Sequence, residues 1–141
     1  MRFADFEGRR VYVACPYSDG QRSVRDARAR AANEVAGLLI RAGAVVFSPI
    51  SHTHEMAEQQ NLPTDYAFWE RQCLAFVEWC DAMVVLAVDG WQESRGVVAE
   101  LRAAWAAGKG LAVAEPLRDG WVLTELPLGM SGRLEDEEGR G

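Results

Sequence analysis

The chain has 141 residues, of which 49% are hydrophobic and 26% charged, and its formal net charge is −6. This balance is typical of one soluble globular domain and excludes a disordered, collagen-like or coiled-coil chain. Net negative charge disfavours a nucleic-acid polymer as partner, and no stretch approaches the roughly 20 apolar residues that span a bilayer. The N-terminus MRFADFEGRR lacks the apolar core of a signal peptide, and three cysteines without a CxxC pair favour a reducing compartment. We therefore expect a cytoplasmic protein.

Predicted strands and helices alternate along the chain. β-Branched and aromatic residues predict strands at 10–15, 44–48, 81–88 and 110–114, and more weakly at 121–124. Apolar residues at helical spacing predict helices at 24–42, after Asp65 and after the N-cap residue Ser94. The segment between the second strand and the second helix is predicted to be a polar loop with a helical turn near 54–60.

Such alternation predicts a parallel sheet with helices on both faces. We expect a flavodoxin-like or Rossmann-like α/β fold, a three-layer sandwich with four or five parallel strands, in a single domain over residues 1–130. The acidic run at 135–138 lies between glycines and predicts a mobile acidic tail at 131–141.

Three loops follow the carboxyl ends of predicted strands, where ligands bind to an open parallel sheet. They span residues 16–22, 49–65 and 89–94, and the third gives the strongest signal. Ser94 and Gly96 stand at a predicted helix start, where a hydroxyl and backbone amides can hold an anion, although Ser94 could equally cap its own helix. Glu100 follows on a mostly apolar helix, and periodicity alone leaves it either solvated or held at the crevice.

Other chemistries leave weaker signals. Cys15 and Arg22 approach the Cys-x5-Arg cradle of cysteine phosphatases, but six residues intervene. His52 and His54 could bind zinc, yet no further ligand has diagnostic spacing, so no metal is predicted. Neither a G-x-G-x-x-G fingerprint nor a Walker A lysine is present, and no cofactor is predicted.

Five segments, in chain order, resemble the nucleoside 2-deoxyribosyltransferase-like superfamily and, more narrowly, its DUF1937 branch. They are V-Y-V-A-C-P-Y-S, V-F-S-P-I-S-H-T-H, L-P-T-D-Y-A-F-W, C-D-A-M-V-V-L and D-G-W-x-x-S-x-G-V-x-x-E. The resemblance covers residues 10–115 and implies an N-glycosidase or deoxyribosyltransferase that acts on a nucleoside or its 5′-monophosphate. The alternative is a non-catalytic nucleotide-binding module on the same scaffold.

The resemblance also implies roles for individual residues. Glu100 would attack the anomeric carbon, a role that suits a carboxylate because the transition state is oxocarbenium-like, and Tyr12 would orient it. Ser94 and Gly96 would hold the 5′ group or phosphate, with Arg22 or Arg25 as a candidate helper. Further substrate contacts are expected from Tyr17, Ser18, His52, Asp89 and Trp91.

One position departs from the family pattern. In relatives an Asp that assists the leaving base lies eight residues before the Asp of the C-D strand, and counting back from Asp81 gives Cys73. A thiol with an ordinary pKa of about 8.5 is a poor acid for this task. We expect Asp65, Asp89 or a histidine to replace it, and assign Asp65 to catalysis; otherwise the protein binds nucleotides without rapid turnover.

The five tryptophans are more than a core of this size buries easily. Aromatic surplus is common at subunit interfaces, and relatives form dimers in which the partner completes each active site. We therefore expect a homodimer that packs the predicted helix at 65–80 across a two-fold axis.

Overall fold

The computed structural model describes residues 1–126, in which a 3-10 turn at Phe3–Phe6 precedes the first strand. The elements that follow are β1 (Arg10–Ala14), α1 (Arg22–Arg41), β2 (Val45–Phe47), α2 (Pro49–Gln60), α3 (Tyr66–Trp79), β3 (Ala82–Leu86), α4 (Arg95–Ala106), β4 (Gly110–Leu117) and β5 (Gly120–Glu125). The predicted domain boundary at residue 130 and the predicted acidic tail lie outside the described residues.

The strands form one five-stranded sheet in the order β2-β1-β3-β4-β5. β1 pairs in parallel with β2 and β3, and β3 pairs in parallel with β4. β5 is antiparallel to β4, because only residues 118 and 119 join the two strands and so short a connection makes a hairpin. The predicted α/β sandwich is confirmed, with four parallel strands and an antiparallel fifth.

The central strand β3 supplies side chains to two cores. All five of its residues are buried, and alternate side chains of a strand point to opposite faces. Ala82, Val84 and Leu86 pack in the cluster that contains α1, whereas Met83 and Val85 pack in the cluster that contains α3 and α4. The nearly continuous apolar run at 81–88 is therefore the signature of a strand covered on both sides.

The segment after β2 is helical over a longer stretch than predicted: the predicted turn near 54–60 is the second half of a twelve-residue helix, and only its first half was predicted to be a loop. Ser48 caps α2 by accepting a hydrogen bond from the Ser51 amide, and Pro49 occupies the first helical turn. Asn61, with φ 52°, ends the helix in the left-handed conformation. His52 and His54 consequently lie two residues apart on a helix and face different directions.

Among residues 1–126, no helix combines the length and the apolar character that a membrane crossing needs.

Candidate active site

A cavity of about 470 Å³ lies where the carboxyl ends of β1, β2 and β3 meet. Its wall is built from the loop that follows β1, the start of α2, the α2–α3 connection with the first turns of α3, and the start of α4. These are the three loop regions that the sequence indicated. The position agrees with the general rule for open α/β sheets, in which ligands bind beyond the carboxyl ends of the strands.

Glu100 lies in the second turn of α4 and lines this cavity, with 5% of its surface exposed. It shares a helix face with Val97 and Ala104, which are three and four residues away, and both are packed in the core beside Leu101. That face is therefore buried, and the carboxyl is carried inward with it. Periodicity left Glu100 either exposed to solvent or held at the crevice, and the structure shows it at the crevice.

Burial raises the pKa of Glu100 from its usual 4.5 to about 7. No basic side chain among the described residues offsets the lost hydration of this carboxylate. The hydroxyls of Tyr12 and Tyr66 act in the opposite direction and lower the pKa as hydrogen-bonding neighbours. Neither hydroxyl has a partner of full hydrogen-bond geometry within residues 1–126, so the stabilisation that they give is partial. Near neutral pH the carboxyl is thus poised between its two protonation states.

Tyr12 remains a protonated hydroxyl under ordinary conditions. It lies in β1 with no exposed surface, and its pKa is raised well above the usual value, first by burial and then by the negative charge of Glu100. The sequence analysis named Tyr12, and the structure brings its hydroxyl beside the carboxyl group that it was expected to orient.

Tyr66 is a site residue that the sequence analysis missed. It is the first residue of α3, its hydroxyl acts on Glu100, and its pKa is also raised by burial and by that charge. Its ring lies against the start of α4, where a Cβ placed on Gly96 would come within 2.7 Å of the Tyr66 Cδ1 atom. Gly96 is thus the residue that lets the ring reach the cavity, a packing role beside its predicted contact with substrate.

Cys73 lies within the cavity wall, close to the same carboxyl group. Burial and the charge of Glu100 raise its pKa to about 11, although Tyr12 lowers it by hydrogen bonding. At neutral pH the side chain is a protonated thiol. Cys73, which stands where the resemblance implies an Asp, therefore lies in the cavity wall close to Glu100, the expected nucleophile.

Five of the predicted site residues besides Glu100 line the cavity: Tyr17, Ser18, Asp65, Ser94 and Gly96. Asp65 precedes α3 without capping it, so its exposed carboxylate is not committed to the helix. The Ser94 hydroxyl accepts a hydrogen bond from the Val97 amide at 3.2 Å. Ser94 is therefore both the N-cap of α4 and part of the cavity wall.

Three predicted substrate contacts do not lie in the cavity wall. His52 is exposed on α2, and its ring packs beside Phe47 with the centroids 5.7 Å apart. Asp89 offers its backbone carbonyl to the Arg28 Nη2 atom at 3.2 Å, and Trp91 packs against the core beneath α3 and α4. Contact of these three residues with a substrate stays a prediction.

The cavity wall contains two arginines, and neither is an arginine that the sequence suggested. Arg28 donates from Nη1 to the Ser18 carbonyl at 3.0 Å and from Nη2 to the Asp89 carbonyl, and so holds the first and third loops together. Arg95 opens α4 and has no ion pair or hydrogen bond to any described residue, so its guanidinium is available to an anion.

The suggested anion helpers lie elsewhere. Arg22 Nε lies 3.7 Å from Glu58 Oε2, and Arg25 Nη2 lies 3.2 Å from Glu58 Oε1. Neither lines the cavity. Their guanidinium groups are paired with an acidic neighbour on α2, whereas Arg95 lies in the cavity wall. Contact of Arg22 or Arg25 with an anion stays a prediction.

The phosphatase interpretation does not fit the geometry. Burial raises the pKa of Cys15 to about 12, and its thiol donates to the Pro16 carbonyl at 3.3 Å. A phosphatase nucleophile must be a thiolate, whereas this environment disfavours one.

The zinc alternative does not fit either. Both ring nitrogens of His54 have protein partners. Within the described part of the chain, no group of three or more His, Cys, Asp and Glu residues is arranged to hold a metal ion.

The fold and the site together define a class: an open, mostly parallel α/β domain with a cavity at the carboxyl ends of the strands, and in that cavity a buried carboxyl group that has no cationic partner among residues 1–126. More particularly, a family model described as a domain of unknown function (DUF1937) matches residues 9–115. The match covers well over half of the chain, which therefore belongs to this family, and it includes Tyr12, Cys73 and Glu100. No curated protein matches the sequence.

Proposed function

We propose that the protein cleaves the N-glycosidic bond of a nucleoside or a nucleoside 5′-monophosphate, as an N-glycosidase or a deoxyribosyltransferase, with Glu100 as the nucleophile. The observation that carries the proposal is the buried carboxyl group of Glu100, which lines a cavity and has no cationic partner among residues 1–126. Burying such a group costs stability, and groups whose pKa is strongly perturbed in a cleft are candidates for function.

In the proposed reaction, ionised Glu100 attacks the anomeric carbon of the sugar. The C–N bond to the base breaks as a glycosyl ester forms, and water or a second base then displaces the carboxylate. Positive charge develops on the sugar in the transition state, and a carboxylate in a poorly solvated site interacts with that charge strongly. The hydroxyls of Tyr12, on the side of the sheet, and Tyr66, on α3, lie near the carboxylate and favour its ionised form.

The other end of the substrate is proposed to lie at the start of α4. Ser94 and Gly96 lie in the cavity wall at the N-terminus of α4, where the first backbone amides of a helix lack intrahelical partners. Arg95 adds a guanidinium group with no partner among the described residues. The helix dipole favours a negative charge at this point. A 5′-phosphate satisfies all three features, so a nucleoside monophosphate is the preferred substrate over the free nucleoside.

The alternative is a module that binds nucleotides without turning them over. Cys73 favours it, because a thiol with a pKa of about 11 stands where relatives carry a carboxylic acid. The two functions share the cavity and differ in what happens to the C–N bond.

Base release tests the proposal. The protein is incubated with the common ribonucleosides, deoxyribonucleosides and their 5′-monophosphates, with and without a second free base, and the bases are separated by chromatography. We expect one class of substrate to release its base, and expect Glu100→Ala to reduce the rate by at least ~10³-fold. Glu115→Ala is the matched control, since Glu115 is exposed on β4 and does not line the cavity. Binding without base release would favour the alternative, and equal rates in both variants would contradict the role of Glu100.

A further inference from the structure

The negative charge of ionised Glu100 has no counter-charge among the residues around it. Four titratable side chains act on its carboxyl group or respond to its charge: Tyr12, Cys15, Tyr66 and Cys73. Burial raises the pKa of each of them, so all four keep their protons and are neutral near pH 7. A buried carboxylate in such surroundings is stabilised by a ligand that brings a positive charge of its own.

Two further carboxylates stand unpaired in the same cavity wall. Asp65 and Glu93 are exposed, and their side chains make no hydrogen bond or ion pair to any residue among 1–126. The two arginines of the wall do not pair with them. Arg28 donates to backbone carbonyls, and Arg95 stands at the start of α4, where the substrate phosphate is proposed to lie. The wall therefore suits a ligand with a negative phosphate at one end and a positive charge elsewhere.

The wall has no side chain suited to protonate a departing base. Within the described part of the chain, no histidine lines the cavity. Serine and threonine hydroxyls do not ionise in the ordinary pH range, and those of Ser18 and Thr53 are committed to backbone carbonyls at 2.6 and 2.7 Å. The cysteines and tyrosines of the wall have pKa values raised by burial and hold their protons at neutral pH: Cys15, Tyr17, Tyr66 and Cys73. An uncharged purine or pyrimidine departs readily only when it is protonated, so its bond to the sugar would break slowly here.

A base that already carries a positive charge needs no proton donor. The ring of a pyridinium or of an N7-alkylated purine is positively charged while it is bonded to the sugar. The electron pair of the C–N bond neutralises that charge as the bond breaks, and the base departs as a neutral molecule. Such a substrate removes the need for an acid and supplies the counter-charge that Glu100 lacks.

We propose that the substrate is a nucleoside 5′-monophosphate whose base is a positively charged heteroaromatic ring; this rests on the proposed function. Asp65 and Glu93 attract the ring, and its charge favours the ionised form of Glu100. Glu100 forms a glycosyl ester as the C–N bond breaks, and the electron pair of that bond goes to the ring. Water then cleaves the ester, which gives the sugar phosphate, restores the carboxylate and releases one proton to solvent.

The test uses two pairs of nucleotides that share a sugar phosphate and differ in the charge of the ring. One pair is nicotinamide mononucleotide and its reduced form, and the other is N7-methylguanosine 5′-monophosphate and guanosine 5′-monophosphate. Base release is followed by chromatography at pH 6.5 and corrected for the spontaneous rate of each nucleotide. We expect kcat/KM to be at least ~10²-fold higher for the charged member, since a general acid, which only the neutral base needs, contributes about 10²–10⁴-fold.

The pH dependence of nicotinamide mononucleotide cleavage gives a second readout. The apparent pKa in kcat/KM reports Glu100 in the free protein, and the apparent pKa in kcat reports it with the ring bound. We expect the value in kcat to be the lower one, because the bound charge favours the carboxylate. We also expect both parameters to stay level from neutral pH up to about pH 9. A fall in that range would reveal an acid that must stay protonated and would contradict the proposal.

Asp65→Asn separates attraction of the ring from proton donation. We expect KM for nicotinamide mononucleotide to rise about threefold or more, as for the loss of one exposed charge interaction, with a smaller change in the inhibition constant of the reduced form. Glu115→Gln, on β4 outside the cavity, is the control and should change neither constant. A loss of kcat confined to the neutral members of the pairs would identify Asp65 as the acid and overturn the proposal.

The outcomes separate this proposal from the function on which it rests. A preference for the charged member in only one pair would support the proposal and show whether the ring is a pyridinium or a purine. Equal or higher kcat/KM for the neutral member in both pairs would overturn it, while the release of base would still support glycosidic cleavage. Release of base from no nucleotide of either kind would overturn the proposed function, and this proposal with it.

Discussion

Replacing Glu100 with glutamine should stabilise the protein at pH 8 and leave it almost unchanged at pH 4. In the folded state the pKa of Glu100 is about 7, against an ordinary value of 4.5. The folded protein therefore holds this proton more tightly than the unfolded chain does. The protonated carboxyl group of Glu100 therefore makes its full contribution to the free energy of unfolding below pH 4.5, and this contribution is lost as the pH rises through 7.

The size of the effect follows from that difference in pKa. A shift of one unit is worth about 1.4 kcal/mol, so the interval between 4.5 and about 7 corresponds to about 3 kcal/mol of the free energy of unfolding. Glutamine has nearly the same shape and cannot ionise, so Glu100→Gln avoids this loss. The variant should exceed the wild-type protein by about 3 kcal/mol at pH 8, which raises Tm by roughly 10 °C in a domain of this size.

Urea unfolding from pH 4 to pH 8.5 measures this difference directly, with Glu115→Gln as an exposed control that should show no pH-dependent gain. The same titration should appear in activity, because only ionised Glu100 can act as a nucleophile. We expect kcat/KM to fall about tenfold per pH unit below pH 7. A constant difference in stability across the pH range, or a glutamine variant less stable than wild type at pH 8, would refute the assignment of a buried, costly carboxylate.

Three further predictions test the surroundings of the site. Gly96→Ala should lower the free energy of unfolding by about 1–3 kcal/mol and reduce activity, because the new Cβ would lie 2.7 Å from the Tyr66 ring. The control is Gly37→Ala, inside α1, where a Cβ would meet no atom within 4 Å; it should be neutral or slightly stabilising. Unfolding measurements on the two variants decide this, and equal effects would contradict the packing role. Arg95→Ala should raise KM roughly tenfold for a nucleoside 5′-monophosphate and leave KM for the matching nucleoside unchanged; a loss on both substrates would contradict a phosphate contact. In light scattering, the predicted homodimer should have a mass of about twice 15.6 kDa. Phe68→Glu should give a monomer, because Phe68 on α3 is 50% exposed and would lie in the predicted interface. A wild-type mass of 15.6 kDa would contradict the dimer.

Some of this site could be predicted from the sequence because its determinants are local. The apolar run at 81–88 predicted a strand buried on both faces, and alternation of elements predicted the sheet. Periodicity alone left Glu100 either solvated or held at the crevice, and its assignment to the site came from the resemblance; the structure shows that Val97 and Ala104, on the same helix face, are buried in the core. The five tryptophans are all half-buried, in keeping with the argument that so small a core cannot enclose them.

Other features depend on contacts that no local pattern encodes. Only the second half of α2 was predicted as helical, because its two buried residues, Ile50 and Ala57, are seven positions apart among polar residues, which is a weak helical signal. Tyr66 reaches Glu100 only because a glycine of another helix makes room for its ring. The hydrogen bonds of His54 with Tyr17 and Asp26 join three segments that meet only in the folded protein.

A covalent adduct on Glu100 is the most direct test of the proposed chemistry. The protein is incubated with 2-deoxy-2-fluoroarabinosyl nucleoside 5′-monophosphates, whose fluorine slows hydrolysis of the glycosyl ester, and is then analysed by intact-mass and peptide-mapping mass spectrometry. We predict that free base is released in step with a mass increase equal to the fluorinated sugar phosphate. The added mass should map to the peptide that contains Glu100 and be absent from Glu100→Gln. Base release with an adduct on another residue, or the same adduct in Glu100→Gln, would contradict the role of Glu100 as the nucleophile.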